Sequence, residues 1–375
     1  MIAVTRRLLL ALIAIVMTGC DAKLAVSSLG LPAVPAPEDN PLTRDKAELG
    51  RKLFMDRRLS HNDTISCAMC HVPEQGFTSN EMATAIGIEG RSHRRNSPTL
   101  LNAAYMTSLF HDGRETTLEN QVWGPLLTMN EMANPSIGYV VEKIRRLPDY
   151  AGLFERAFAG RGPAMETVGL AIASYERTLV SGNSRFDQWY YGKQSNALTA
   201  EEHAGFSVFA GKAGCSACHA VGARSALFSD NEFHNTGIGW ARSMGNQGKY
   251  RVQLAPGVFT YLEAKEAAAL GERPPNDVGR FEVTENPADR WAYKTPTLRN
   301  IALTAPYMHD GSLSTLEEVV DFYACGGIDN PLKDPRLKPL NLSAVEKRAL
   351  VAFLKSLTGA NVEKLAQGAR QMFLR

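Results

Sequence analysis

An all-α fold built from two related domains in tandem is what this chain of 375 residues predicts. Three observations carry the prediction. Apolar residues recur at helical spacing through most of the sequence, with no run of alternating strands. The motif Cys-x-x-Cys-His occurs twice, as Cys67-Ala-Met-Cys70-His71 and as Cys215-Ser-Ala-Cys218-His219. A stretch downstream of each motif is also repeated: Ser97–Val122 and Thr295–Val320 align without gaps and are identical at 12 of 26 positions. That much identity marks a duplication.

Taken in order, the chain opens with an export signal. Arg6 and Arg7 form a positive n-region, and Leu8 to Met17 is an apolar run too short for a lasting membrane span. Met17-Thr18-Gly19-Cys20 resembles a lipobox, with Met17 as a departure. Residues 1–20 are therefore assigned to a lipoprotein signal peptide, with Cys20 as the lipidated first mature residue. This places the protein in the periplasm, attached to a membrane only through that anchor. Residues 21–42 carry Pro32, Pro35, Pro37 and Pro41 and are expected to be an extended linker holding the rest away from the membrane.

The first domain is assigned to residues 43–190 and the second to 191–375. Leu49, Leu53 and Phe54 give helical spacing over Ala47–Asp56, just before the first Cys motif. Further helices are expected over 137–146, 150–159 and 165–180, broken by Pro148 and Gly182. Thr199-Ala200-Glu201-Glu202 is a capping box that starts a helix ending near Gly211, before the second motif. Ser343-Ala344-Val345-Glu346 caps a last helix running to Gly359. His71 precedes His111 by 40 residues, whereas His219 precedes its repeat partner His309 by 90. The second domain thus holds an insertion of about 50 residues, mostly within Ala223–Tyr293, whose Gly, Pro and polar content predicts loop.

Charge and cysteine content narrow the function. The formal charge is +2, and loss of Arg6 and Arg7 with the signal leaves the balance near zero. That argues against a nucleic-acid partner. Of six cysteines, Cys20 belongs to the lipobox and four to the motifs. Cys325 is left over and reads as a small buried residue, with a haem ligand or a redox thiol as the sharper alternatives. Cys-x-x-Cys-His is the attachment pattern of a c-type haem: both thiols add to vinyl groups, and the adjacent His becomes the axial ligand of the iron. A His directly after each pair favours this over zinc or disulfide pairing. Two covalently bound haem c groups are expected.

Further strings carry a resemblance. They are Asn96-Ser97-Pro98-Thr99-Leu100-Leu101-Asn102-Ala103, His111-Asp112-Gly113-Arg114, Gln121 to Pro125, Glu131-Met132, and Thr297 to Asn300 through Thr304-Ala305-Pro306-Tyr307-Met308-His309-Asp310-Gly311. With the haem motifs, they make the chain resemble the bacterial di-haem cytochrome c peroxidases, the family that includes MauG, over roughly residues 43–359. The resemblance implies two cytochrome c-like haem domains in tandem. Hydrogen peroxide would be reduced at the N-terminal haem, with electrons relayed through the C-terminal one from a small cytochrome c or cupredoxin.

It also implies roles for residues. Gln121 and Glu131 map to distal groups that move a proton between the peroxide oxygens. Pro125 maps to a residue that crowds the same face. His93 is either a distal ligand of the resting first haem or an exposed histidine of a basic loop. Tyr323 falls at the sixth-ligand position of the second haem, with Met308 and Cys325 as rivals. A calcium ion between the domains would take the Asn102 side chain and the carbonyl oxygens of Thr304 and Pro306. His111 departs from the family, which usually has Trp between the haems. Trp123 is either a substitute or core, and His309 is expected to lie off the path between the haems.

The leading expectation is a peroxidase. The alternatives are a MauG-like enzyme that uses peroxide to oxidise side chains of a partner protein, and a non-catalytic electron carrier. A homodimer is left open.

Overall fold

The computed structural model describes residues 23–245, 249–255, 258–263 and 276–371. The signal peptide and Cys20 lie outside the described residues. No helix among those described is long and apolar enough to cross a membrane.

Each domain is organised by one crossing of two helices. In the first, Arg44–Met55 crosses Met165–Glu176. The Thr43 hydroxyl accepts from the Lys46 N–H to start the former helix. Leu53 and Phe54, 0% and 1% exposed, turn into the core, each contributing about 1.5–3 kcal/mol by burial. The crossing is close because Gly50 has no side chain: a Cβ there would overlap the Ala171 carbonyl. The second domain repeats the device. Ala200–Ala210 crosses Ala344–Lys355, and a Cβ on Gly205 would overlap the Ala349 carbonyl. Capping boxes at Thr199/Glu202 and Ser343/Glu346 fix both starts, as the sequence predicts.

Four features depart from the sequence expectation. The inserted segment is not loop alone. Lys249–Ala255 and Val258–Glu263 form an antiparallel hairpin, and Phe233–His234 pairs with Tyr293–Lys294. Alternation such as Tyr250, Val252 and Phe259, Tyr261 suits a two-stranded ribbon but is too short to stand out in sequence.

Second, residues 23–42 are not a free spacer. The Gly30 carbonyl accepts from Ala226 N and Arg299 Nη2, the Pro32 carbonyl from Tyr105 Oη, and the Pro35 carbonyl from Arg177 Nε. Proline keeps the segment extended, and an extended backbone leaves its carbonyls free for these donors. The segment is a strap over both domains.

Third, the boundary at 190 falls too late. Phe186 is fully buried in the second core, stacked with Tyr190 and edge-on to Phe228 and Phe353. Fourth, the final helix, Val362–Arg370, returns to the first domain. Ala369 packs in a cluster with Phe54, Phe77 and Tyr175, and Arg51 donates to the Gly368 carbonyl at 2.7 Å.

The strap and the second domain meet at a buried ion pair. Arg299, 1% exposed, faces the Asp187 carboxylate through two bonds of 2.9 Å. Its repeat partner, Leu101, is equally buried but apolar. Gly30 has φ +82° and would press any side chain into Asp187, so only glycine fits there.

Candidate active site

One continuous cavity of about 950 Å³ runs through both domains, and both Cys-x-x-Cys-His motifs line it. His71 Nδ1 lies 3.2 Å from the Phe77 carbonyl, and His219 Nδ1 lies 2.8 Å from the Phe228 carbonyl. A carbonyl can only accept, so each Nδ1 carries the proton. Each Nε2 is left with a free lone pair, as an iron ligand needs. Burial holds both rings below the ordinary histidine range, His71 at about 4, so both are neutral. The motif cysteines lie on short helical turns, Cys67–Cys70 and Cys215–Ala217 with Cys218 directly after it, and all four line the cavity.

The first half of the cavity contains Gln121, Pro125 and Glu131. Gln121 ends the helix Leu118–Gln121, and Pro125 lies in the turn of helix Trp123–Leu127. The loop bearing Glu131 is tied down at several points. Glu131 N–H donates to the Thr128 carbonyl, its carbonyl accepts from Ile88, and Met132 N–H donates to the Pro125 carbonyl. The carboxylate makes no hydrogen bond among the described residues. Burial raises its pKa, against a pull from the Arg114 guanidinium. Its charge reaches both Cys67 and Cys70, which puts it over the first haem motif. His93 is in the same half, with Nε2 4.0 Å from Cys70 Sγ. It is half-buried rather than on an open basic loop.

The second half holds Tyr323, on the helix Leu316–Ala324, and Met308. Burial and then the Cys215 and Cys218 thiols push the Tyr323 phenol above its ordinary range, so its ring lies beside the second motif. Cys325 does not reach the cavity. It is exposed and borders a shallow depression with Phe322 and Ile328. Both the buried reading and the ligand reading of Cys325 are thereby corrected: one step beyond Ala324, the helix turns it outward. A group that the sequence did not single out also lines this half. His234 bridges Asp230 and Asp334 at 2.9 and 2.8 Å.

Between the halves, His111 Nε2 donates to the Asn96 carbonyl at 2.9 Å. His309 is close enough to depress the His111 pKa further, after burial. It stacks on Tyr293 with centroids 3.6 Å apart. The expectation that His309 lies off this path is corrected, because the two repeat copies converge here. Trp123 is core, 6% exposed and away from the cavity. Thr304 and Pro306 line the cavity, and their carbonyl oxygens accept no hydrogen bond among the described residues.

Asn102 departs from its expected role as a calcium ligand. It does not line the cavity: its amide donates to the Ser181 carbonyl and accepts from the Ser181 N–H, with φ +66°. Asn96, from the same string, does line the cavity and uses only its Nδ2, toward the Ala83 carbonyl.

The family model for di-haem cytochrome c peroxidases matches residues 44–195. Cytochrome-c peroxidase IdrP1 of Denitromonas iodatirespirans is 38% identical over 88% of this chain and 85% of its own length. The chain belongs to the di-haem cytochrome c peroxidase family. The methylamine utilization protein MauG of Methylorubrum extorquens is also 38% identical, over 87% of this chain and 81% of its own. A crystal structure of a MauG-like protein associated with microbial copper homeostasis superposes with a TM-score of 0.72. It is 33% identical and covers 89% of this chain and 95% of its own. The di-haem peroxidase BthA of Burkholderia thailandensis has the same fold, with a TM-score of 0.67 at 24% identity.

As a member of this di-haem peroxidase family, the chain is an oxidoreductase, and the family implies two haem c groups. The residues fit them. Each half of the cavity offers two thiols and one neutral imidazole with a free Nε2, and haem c needs that donor set. The two halves then differ. The first has the Glu131 carboxyl and the Gln121 amide, whose side chains make no hydrogen bond among the described residues. The second has a phenol.

Proposed function

We propose that the chain is an exported, lipid-anchored di-haem peroxidase that reduces hydrogen peroxide to water in the first half of the cavity. A small cytochrome c or cupredoxin would supply electrons at the second half. Bound haem supplies the redox-active iron and the site for peroxide. Glu131 is the observation that carries the reading: a buried, unpartnered carboxyl with a raised pKa, placed over the first motif. Such a group can take a proton from one peroxide oxygen and return it to the other. Gln121 orients peroxide by hydrogen bonding, and Pro125 limits what else can enter. His93 lies where it could close the first site at rest. A calcium ion between the domains would use the carbonyls of Thr304 and Pro306.

The test is Glu131→Gln, which keeps shape and both haems. Peroxide reduction should slow on the order of a hundredfold or more, with unchanged spectra. An unchanged rate would remove Glu131 from the mechanism.

A second reading, MauG-like oxidation of a partner protein's side chains, is favoured by Tyr323. A phenolate ligand would favour oxidised iron at the second site, which suits oxidation of a protein better than acceptance of electrons from a carrier. Turnover with reduced cytochrome c separates the two.

A further inference from the structure

Glu176 ends the helix Met165–Glu176 and is 4% exposed. With Ile172, one turn earlier, it lines the first half of the cavity. Its Oε2 is sealed from solvent and has no hydrogen-bond partner among the described residues. An ionised carboxylate in that setting is costly unless it is paired.

The neighbouring charges are committed elsewhere. Arg177 turns away to Glu119, with bonds of 2.6 and 3.1 Å. On the helix Arg44–Met55, Lys46 bonds Asn40 and the Pro41 carbonyl, and Arg51 bonds the Gly368 carbonyl. Glu119, from Leu118–Gln121, adds negative charge. The helix Ile137–Arg146 contributes Val140, Val141 and Ile144 to this core. Burial pushes the Glu176 carboxyl up to about 8, with Arg177 opposing and Glu119 reinforcing. Across the cavity wall, Glu176 acts on Cys67, as Glu131 does.

We propose that Glu176 is a second proton carrier of the first haem site, taking up a proton when an electron arrives there and releasing it into the cavity as peroxide is reduced. The inference rests on the first half being the peroxide site. The balance requires two protons from outside the peroxide. Reduction of hydrogen peroxide breaks one O–O bond, consumes two electrons and two protons, and forms two waters. The electrons come from the one-electron donor. Glu131 moves a proton between the peroxide oxygens but adds none. Glu176 supplies one of the two protons per turnover and regains it from solvent, and solvent entering the cavity supplies the other.

Linkage makes this measurable without turnover. An added electron strengthens proton binding at a nearby buried carboxylate, so the first haem's reduction potential must fall as pH rises through about 8 and above. A fully coupled proton gives a tenfold change per pH unit, ~59 mV for a one-electron couple. In the holoprotein, Glu176→Gln should lose more than half of the wild-type slope, and Glu176→Asp should keep it. A wild-type slope in Glu176→Gln, or none in Glu176→Asp, overturns the proposal. If Glu176→Gln does not take up haem, redox-difference infrared spectra of the wild type decide. Reduction near pH 8 should raise a protonated-carboxyl band, and its absence overturns the assignment. Glu131→Gln should retain the slope, so failure here is distinct from failure of the peroxide reading.

Discussion

At Glu131 and Tyr323 the duplicated site has diverged. Both line the cavity beside a Cys motif whose histidine is neutral and anchored to a backbone carbonyl. One offers a proton-transfer group and the other a potential ligand. Tyr323→Met should raise the second haem's reduction potential, since a neutral thioether favours ferrous iron more than a phenolate does. Potentiometry with spectra of each haem checks it, and an unchanged potential and spectrum would pass the ligand role to Met308, which lines the same half. Cys325 is no longer a candidate. Gln121, Pro125, Glu131 and Tyr323 were legible in the sequence only through the family resemblance, and all four line the cavity. The sequence missed Glu176 because a single Glu inside an apolar helix carries no motif. His234 likewise shows itself only when Asp230 and Asp334 close around it.

The helix crossings set the position of each site wall. Gly50 and Gly205 let two backbones touch, and the cavity-facing Ile172 and Glu176 follow from that register. Gly50→Ala should destabilise the first domain by about 1–3 kcal/mol or more, because a methyl group meets a backbone carbonyl rather than a flexible side chain. Gly138→Ala is the control. It sits in the helix Ile137–Arg146 with only the Ser136 hydroxyl within 4 Å, at 3.8 Å. There, helix propensity should stabilise by up to about 1 kcal/mol. Thermal unfolding of both holoproteins checks the pair, and equal effects would refute close crossing as the cause. Both helices were legible from apolar spacing and capping residues. The glycine contact was not, because a close approach leaves no periodic trace in either helix alone.

Over the whole molecule, the two domains are bound together by segments that the sequence assigns elsewhere. The strap crosses both, and the final helix returns from the second domain to the first. Arg299→Leu restores the residue type of the first repeat but leaves Asp187 buried without its cation. It should cost about 3–5 kcal/mol and loosen the strap at Gly30, which protease cleavage within residues 23–42 would report. A variant as stable and as resistant as wild type would show that the strap is held without this pair.

The family resemblance named the residues of the first distal pocket; what the sequence determined alone is the duplicated, mainly helical plan and the two haem attachment motifs. Each is a local pattern, a matter of spacing within a helix or a motif. Only the tertiary structure decided that residues 23–42 form a strap and that the last helix crosses back. It also decided that Asn102 clasps Ser181 while Asn96 reaches the cavity, that Cys325 faces outward, and that His111 and His309 converge. Those outcomes depend on which groups meet across long stretches of chain, where packing and unsatisfied backbone carbonyls select the partner and the local sequence carries no record of it.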